Sequence, residues 1–89
     1  MKPDYTEEQL FVDTMLKEFG PWFTSLYCLT TAYRCVSSKD LSTEVIDKAR
    51  WHIDYYNSIK SNREYSLYCI SSHNEKGLYD KVVRLINNG

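Results

Sequence analysis

The chain has few of the residues that build disulfide scaffolds, flexible loops or phosphate-binding loops. Its 89 residues include three Gly, two Pro and three Cys, and no CxxC pair occurs. An odd and sparse set of Cys argues against a disulfide framework and fits a reducing compartment. With so few Gly, the sequence also lacks the Gly-rich loop that binds phosphate groups. These absences exclude the disulfide-rich secreted class and the P-loop class.

Long apolar runs and an excess of one charge are also missing. The longest uncharged run, residues 19–33, is too short and too polar to span a bilayer, which needs about 20 apolar residues. The net charge is −1, so the basic footprint of a typical nucleic-acid-binding protein is absent. The first residues do not resemble the apolar segment of a signal peptide. We therefore expect a cytoplasmic protein.

Recognisable catalytic and metal-binding motifs are absent as well. No GxSxG, Walker, GxGxxG, HExxH or calcium-loop pattern occurs. Cys28 and Cys35 lie seven residues apart, wider than the paired ligands of a zinc site, and are better interpreted as small apolar groups. A Cys–His nucleophilic pair, such as Cys28 with His52, would require a spatial adjacency that the sequence does not show. We predict no catalytic residues, no metal, no cofactor and a non-enzymatic function.

The clearest helical pattern in the chain covers residues 41–60. Apolar and aromatic side chains recur there at spacings of four, three, four and three, which places them on one stripe of a helix. The stripe consists of Val45, Ala49, His52, Tyr56 and Ile59. Ser42 is a candidate N-cap, because its hydroxyl can accept a hydrogen bond from the first turn. This pattern predicts a central helix at about 41–60.

Similar stripes predict helices on either side of the central one. Residues 6–19 show an amphipathic pattern that Gly20 and Pro21 should end, since Pro cannot continue the hydrogen bonding. Pro also suits the first position of the next helix, predicted for residues 21–36 and expected to be the most buried element. In that helix we expect Trp22, Leu26, Leu29, Tyr33 and Val36 to face the core.

The last third of the chain is harder to assign. Residues 64–70 alternate between apolar and polar as a strand would, but no second strand exists to pair with them, so we favour a short helix. Leu78, Val82 and Leu85 then predict a final helix. The sequence thus predicts an all-α fold: a compact bundle of four to five short helices, forming a single domain over residues 1–89 with a flexible arm at 1–5.

Aromatic residues are unusually abundant, at 15% of the chain with eight Tyr. Trp51 lies roughly 200° around the central helix from Ala49, away from the core stripe. Trp and Tyr beside Arg are the residue types that dominate binding energy at protein interfaces. The candidate partner-binding residues are Lys48, Arg50, Trp51, Asp54 and Tyr55. For Trp51 and Tyr55 themselves, the first interpretation is that a second layer of the same domain covers the two rings, and a contact surface for another chain is the alternative.

Two functional hypotheses follow. The favoured one is a non-enzymatic helical module that binds a protein partner or itself, with a homo-oligomer expected. The composition of the chain is rich in Lys, Asn, Ser, Ile and Tyr and includes only two Ala, which is typical of AT-rich genes. For a phage or mobile-element protein, this would suit a stoichiometric inhibitor or modulator of a host protein. The alternative is nucleotide or nucleic-acid binding, in which cations interleave with stacking rings. Its candidate residues are Lys60, Arg63, Tyr65 and Tyr68.

Overall fold

The chain is all-α in the computed structural model, which describes residues 4–65 and 71–88. Three helices follow one another: α1 (Thr6–Ser37), α2 (Thr43–Lys60) and α3 (His73–Asn88). No strand occurs among the described residues. The predicted fold class is therefore right in being all-α, but the predicted count of four to five helices is wrong.

The miscount has its main cause at Gly20 and Pro21. We predicted that this pair separates two helices; two helical segments do meet there, but at a kink that leaves them as one element, α1. Gly20 alone leaves the helical conformation, with φ 88° and ψ 171°, and Pro21 resumes it at once. Residues 63–65 form a turn, and the rest of the predicted helix at 64–71 lies largely outside the described residues.

The central helix is present as α2, close to its predicted bounds. The Ser42 hydroxyl accepts a hydrogen bond from the backbone N–H of Val45 at 3.4 Å, as expected of the N-cap. Glu44 lies in the first turn and Lys60 in the last, so both charges are favourable to the helix dipole. The buried side of α2 packs mainly against α1, and α3 makes smaller contacts with both. Its buried residues are Ile46, Ala49, His52, Ile53, Tyr56 and Ile59.

The buried side of the second half of α1 matches the predicted stripe only in part: Leu29 and Val36 are buried as predicted, whereas Leu26 and Tyr33 are half-buried. Most of its buried side chains are small, and the full set is Thr24, Ser25, Cys28, Leu29, Ala32 and Val36. Trp22, expected in the core stripe, is 53% exposed. Small side chains allow two helix axes to approach closely, because the distance between packed helices depends on the side chains at the contact. The large side chains therefore lie on the outer side of α1.

Residues from all three helices meet in one hydrophobic core. Val12 and Leu29 of α1, Ile53 of α2, and Val82 and Ile86 of α3 are among its buried members. Burial of such a side chain stabilises the folded state by about 1.5–3 kcal/mol. None of the described helices combines the length and the hydropathy that crossing a membrane requires.

The backbone at Gly20 leads to a prediction about two matched Gly→Ala substitutions. Gly20 occupies a region that is essentially restricted to Gly, and a Cβ there would meet no atom within 4 Å. Gly20→Ala should therefore lower the free energy of unfolding by about 1–3 kcal/mol through backbone strain alone. Gly77 lies inside α3, and a Cβ there would also meet no atom within 4 Å. Gly77→Ala should therefore raise the free energy of unfolding by about 0.5–1 kcal/mol. Urea denaturation measures both, and a stabilising Gly20→Ala would contradict the kink.

Candidate functional site

The predicted partner-binding residues all lie on α2, but they differ in exposure. Lys48, Arg50 and Asp54 are exposed, whereas Trp51 and Tyr55 are half-buried. Both rings pack against the hydrophobic core. The charged members of the set are thus accessible, and part of the aromatic area that motivated the prediction is used inside the domain.

Two contacts from the N-terminal part of the chain account for this coverage. The Tyr5 ring stacks on the Trp51 indole, with centroids 5.5 Å apart and an interplanar angle of 23°. The Tyr55 hydroxyl donates a hydrogen bond to Oδ1 of Asp13 at 2.6 Å. Burial raises the pKa of Tyr55, and the bond to the Asp13 carboxylate raises it further. The interpretation in which a second layer covers these rings therefore describes part of what is seen.

A larger exposed aromatic surface lies on the outer side of α1. Four rings are about half exposed or more: Phe11 (54%), Phe19 (63%), Trp22 (53%) and Phe23 (48%). Phe11 contacts Tyr27 at a centroid distance of 5.9 Å, and Phe19 contacts Phe23 at 5.4 Å. We call this surface the aromatic face, consisting of Phe11, Phe19, Trp22, Phe23, Leu26 and Tyr27.

An open groove of about 380 Å³ runs along the aromatic face. It is lined by Trp22, Phe23, Leu26, Tyr27, Thr30, Thr31 and Arg34. These positions are spaced so that they share one side of the helix, opposite the buried small residues. The groove is apolar and aromatic at one end and polar at the Thr30, Thr31 and Arg34 end.

The aromatic face was not predicted, because we assigned the bulky stripe of α1 to the core. A signal for the alternative was present: the small residues Ser25, Cys28 and Ala32 recur at spacings of three and four beside the bulky stripe. Both stripes have helical spacing. Which one is buried depends on the side that α2 contacts, and local periodicity does not contain that information.

A buried histidine lies beneath the stacked rings. His52 is fully buried, and its Nε2 lies 2.8 Å from Oε1 of Glu8, although the N–H is not aligned for a full hydrogen bond. Burial lowers the pKa of His52, and the Glu8 carboxylate only partly opposes this shift. Burial also raises the pKa of the Cys28 thiol to about 12. Both environments disfavour the charged forms that Cys–His nucleophilic catalysis uses.

A second polar cluster joins α2 to α3 around the buried carboxylate of Glu75. Oε2 of Glu75 accepts hydrogen bonds from the Tyr56 hydroxyl at 2.5 Å and the Ser71 hydroxyl at 2.8 Å. The Lys60 ammonium lies 2.8 Å from the same oxygen. Burial would raise the pKa of Glu75, but the bonds from Lys60, Tyr56 and Ser71 outweigh it and hold that pKa below its usual value. The cluster is electrically balanced.

Two described residues of the predicted alternative ligand site, Lys60 and Tyr65, line different pockets. Lys60 lines an open pocket of about 340 Å³ beside Tyr79, and Tyr65 lines a different pocket beside Asp13. Arg63 is exposed on the turn after α2, and Tyr68 lies outside the described residues. Within residues 4–65 and 71–88, no three His, Cys, Asp or Glu side chains are grouped to hold a metal ion.

Comparisons of this chain with protein-family models, with curated proteins and with solved structures find no match. The aromatic face contains four of the six large hydrophobic side chains that are most exposed in the described chain, the other two being Leu10 and Leu41. It is the strongest candidate for a contact surface.

The buried state of His52 predicts a pH dependence of stability. Burial in the folded protein lowers the pKa of His52 below 6.5. Just below that pH, the unfolded chain therefore binds a proton at His52 that the folded chain does not bind. The contribution of neutral His52 to the free energy of unfolding should be fully present above pH 6.5. The free energy of unfolding should fall as the pH decreases below that value, by up to about 1.4 kcal/mol per pH unit. Urea denaturation at pH 7.5 and 5.5 should show this loss in the wild-type protein and a much smaller one in His52→Gln.

The matched control for that measurement is His73→Gln, because His73 is exposed at the start of α3. It should keep the wild-type pH dependence. The Glu75 carboxylate does not interfere, since its pKa lies below 4.5 and its contribution is lost only at lower pH. Equal losses in the wild-type protein and His52→Gln would contradict the assignment.

Proposed function

We propose that this chain is a non-enzymatic protein-interaction module whose main contact surface is the aromatic face of α1. The observation that carries the proposal is the exposure of four neighbouring aromatic rings. An aromatic side chain has roughly 200 Å² of surface, so four half-exposed rings offer about 400 Å². The largest apolar patch on a typical monomer is about 300–600 Å² and is often functional.

The arrangement of the aromatic face supports this proposal. Trp and Tyr are enriched among the residues that contribute most to binding, and such residues lie at apolar centres surrounded by polar rims. Here Trp22 and Tyr27 lie in the apolar part, and Thr30 and Arg34 lie at its polar end. The rings project from a helix that packs along its other side, so little conformational freedom would be lost on binding.

The predicted surface on α2 remains a secondary part of the proposal. Lys48, Arg50 and Asp54 are exposed and available for polar contacts, whereas Trp51 is partly covered by Tyr5. A module of this kind acts by occupying a partner's surface. Stoichiometric inhibition or modulation of a host protein by a phage or mobile-element product is the biological role we propose for it. The nucleotide-binding alternative has less support, because Glu75 pairs with the Lys60 ammonium.

This proposal predicts different behaviour for two matched surface substitutions. Phe23 and Leu41 are each 48% exposed, but only Phe23 belongs to the aromatic face. In affinity capture from the native host, a partner should co-purify with the wild-type chain and with Leu41→Thr, and be lost with Phe23→Thr. With that partner purified, calorimetry should show binding weakened at least about tenfold by Phe23→Thr, the loss expected on truncating an interface ring.

Both substitutions alter exposed side chains, so the thermal unfolding temperature should stay close to that of the wild-type protein. This measurement confirms that a loss of binding does not reflect unfolding. A partner that binds Phe23→Thr as tightly as the wild-type chain would refute the aromatic face as the contact surface.

A further inference from the structure

The outer side of α1 has a ridge pattern that suits packing against an identical helix. Trp22, Leu26 and Thr30 follow one another at a spacing of four, and Phe23, Tyr27 and Thr31 do the same beside them. Side chains four apart form ridges inclined to the helix axis. When both partners present such ridges, two helices pack at about −50°. A second copy of α1 has the same sequence and therefore the same ridges.

The two ends of these ridges differ in size in a complementary way. Trp22 and Phe23 are bulky, and Thr30 and Thr31, two turns later, are small. A two-fold axis near Leu26 and Tyr27 would oppose each bulky end to the small end of the other copy. Because a two-fold contact repeats itself, every large-to-small match occurs twice.

We propose that the aromatic face takes a second copy of this chain, paired about that two-fold axis with Phe23 of each copy against Thr30 of the other. This inference rests on the proposed function and makes a second copy the occupant of the aromatic face, so that a host protein would compete with it for the same rings. Phe11, beside Tyr27, adds a ring close to the axis.

Charge does not oppose this pairing. Each copy has a net charge of −1, and among the described residues Arg34 is the one charged residue lining the groove. In the two-fold arrangement the two Arg34 positions lie at opposite ends, about 22 Å apart at a rise of 1.5 Å per residue. That separation exceeds the screening length of about 8 Å at physiological ionic strength.

The area available sets the expected strength of the pair. Four half-exposed rings on each copy bury about 800 Å² in total, and Leu26, Tyr27 and the two threonines increase this value. The sum approaches the lower limit of specific interfaces, about 1,200 Å². The dimer should therefore form reversibly and depend on protein concentration.

Sedimentation velocity of the untagged full chain from about 2 to 500 µM tests the inference, with this range chosen for a weak reversible pair. The wild-type protein should shift with concentration from the 10.5 kDa monomer toward twice that mass. Phe23→Thr removes the large side of the match and Thr30→Phe fills the small side, so each should weaken dimerisation at least tenfold, about the loss of one interface ring. Leu41→Thr should leave it unchanged.

The double variant that combines Phe23→Thr with Thr30→Phe is the most specific test of the two-fold register. It exchanges the large and small sides, so every ring again opposes a threonine and dimerisation should return. Circular dichroism of each variant should match the wild-type spectrum. The two-fold register would be overturned if the double variant dimerised more weakly than both single variants. It would also be overturned if the wild-type protein dimerised and each single variant dimerised equally well.

A monomeric wild-type chain across the whole range would also overturn the self-pairing. If another protein is then captured in a Phe23-dependent way, the proposed interaction function stands with a different partner. If capture does not depend on Phe23 either, both the partner and the function fail. The two experiments therefore distinguish the failure of one proposal from the failure of the other.

Discussion

The packing of α1 on α2, with mostly small side chains on the buried side of α1, is the constraint on which the rest of this structure depends. Ser25, Cys28 and Ala32 occupy little volume, so the helix carrying them can approach its neighbour closely. A helix in a small domain has one side against the core and another toward solvent. Since the small residues take the inner side, bulky Trp22 and Phe23 remain outside. The exposed aromatic surface follows from how the core is built.

Buried polar groups connect the helices around this contact. His52 of α2 lies beside Glu8 of α1, and Glu75 of α3 joins Tyr56 and Lys60 of α2. A buried polar group without a partner is destabilising, so the hydrogen-bonded Glu75 cluster favours one relative placement of α2 and α3, whereas neither ring nitrogen of His52 has an aligned hydrogen bond. A chain of 89 residues buries a limited fraction of its surface, which makes these specific contacts valuable beside the hydrophobic core.

Local signals in the sequence were sufficient for α2 and insufficient for α1. The Ser42 cap and the uninterrupted stripe behind it predict α2 because both act within a few residues. At Gly20 and Pro21, the same two residues suit an end, a start or a kink. The covering of Trp51 could not be predicted from its own helix, because the ring that stacks on it, Tyr5, comes from a distant part of the chain.

The two tryptophans of the chain consequently occupy contrasting surroundings. Trp22 stands among exposed rings on α1, whereas Trp51 is stacked under Tyr5 against the core. Indole emission shifts to shorter wavelength when water is removed from the ring, so each tryptophan serves as a built-in optical probe of a different surface. The emission of Trp22 therefore reports binding at the outer side of α1, and the emission of Trp51 reports whether Tyr5 stays stacked on its indole.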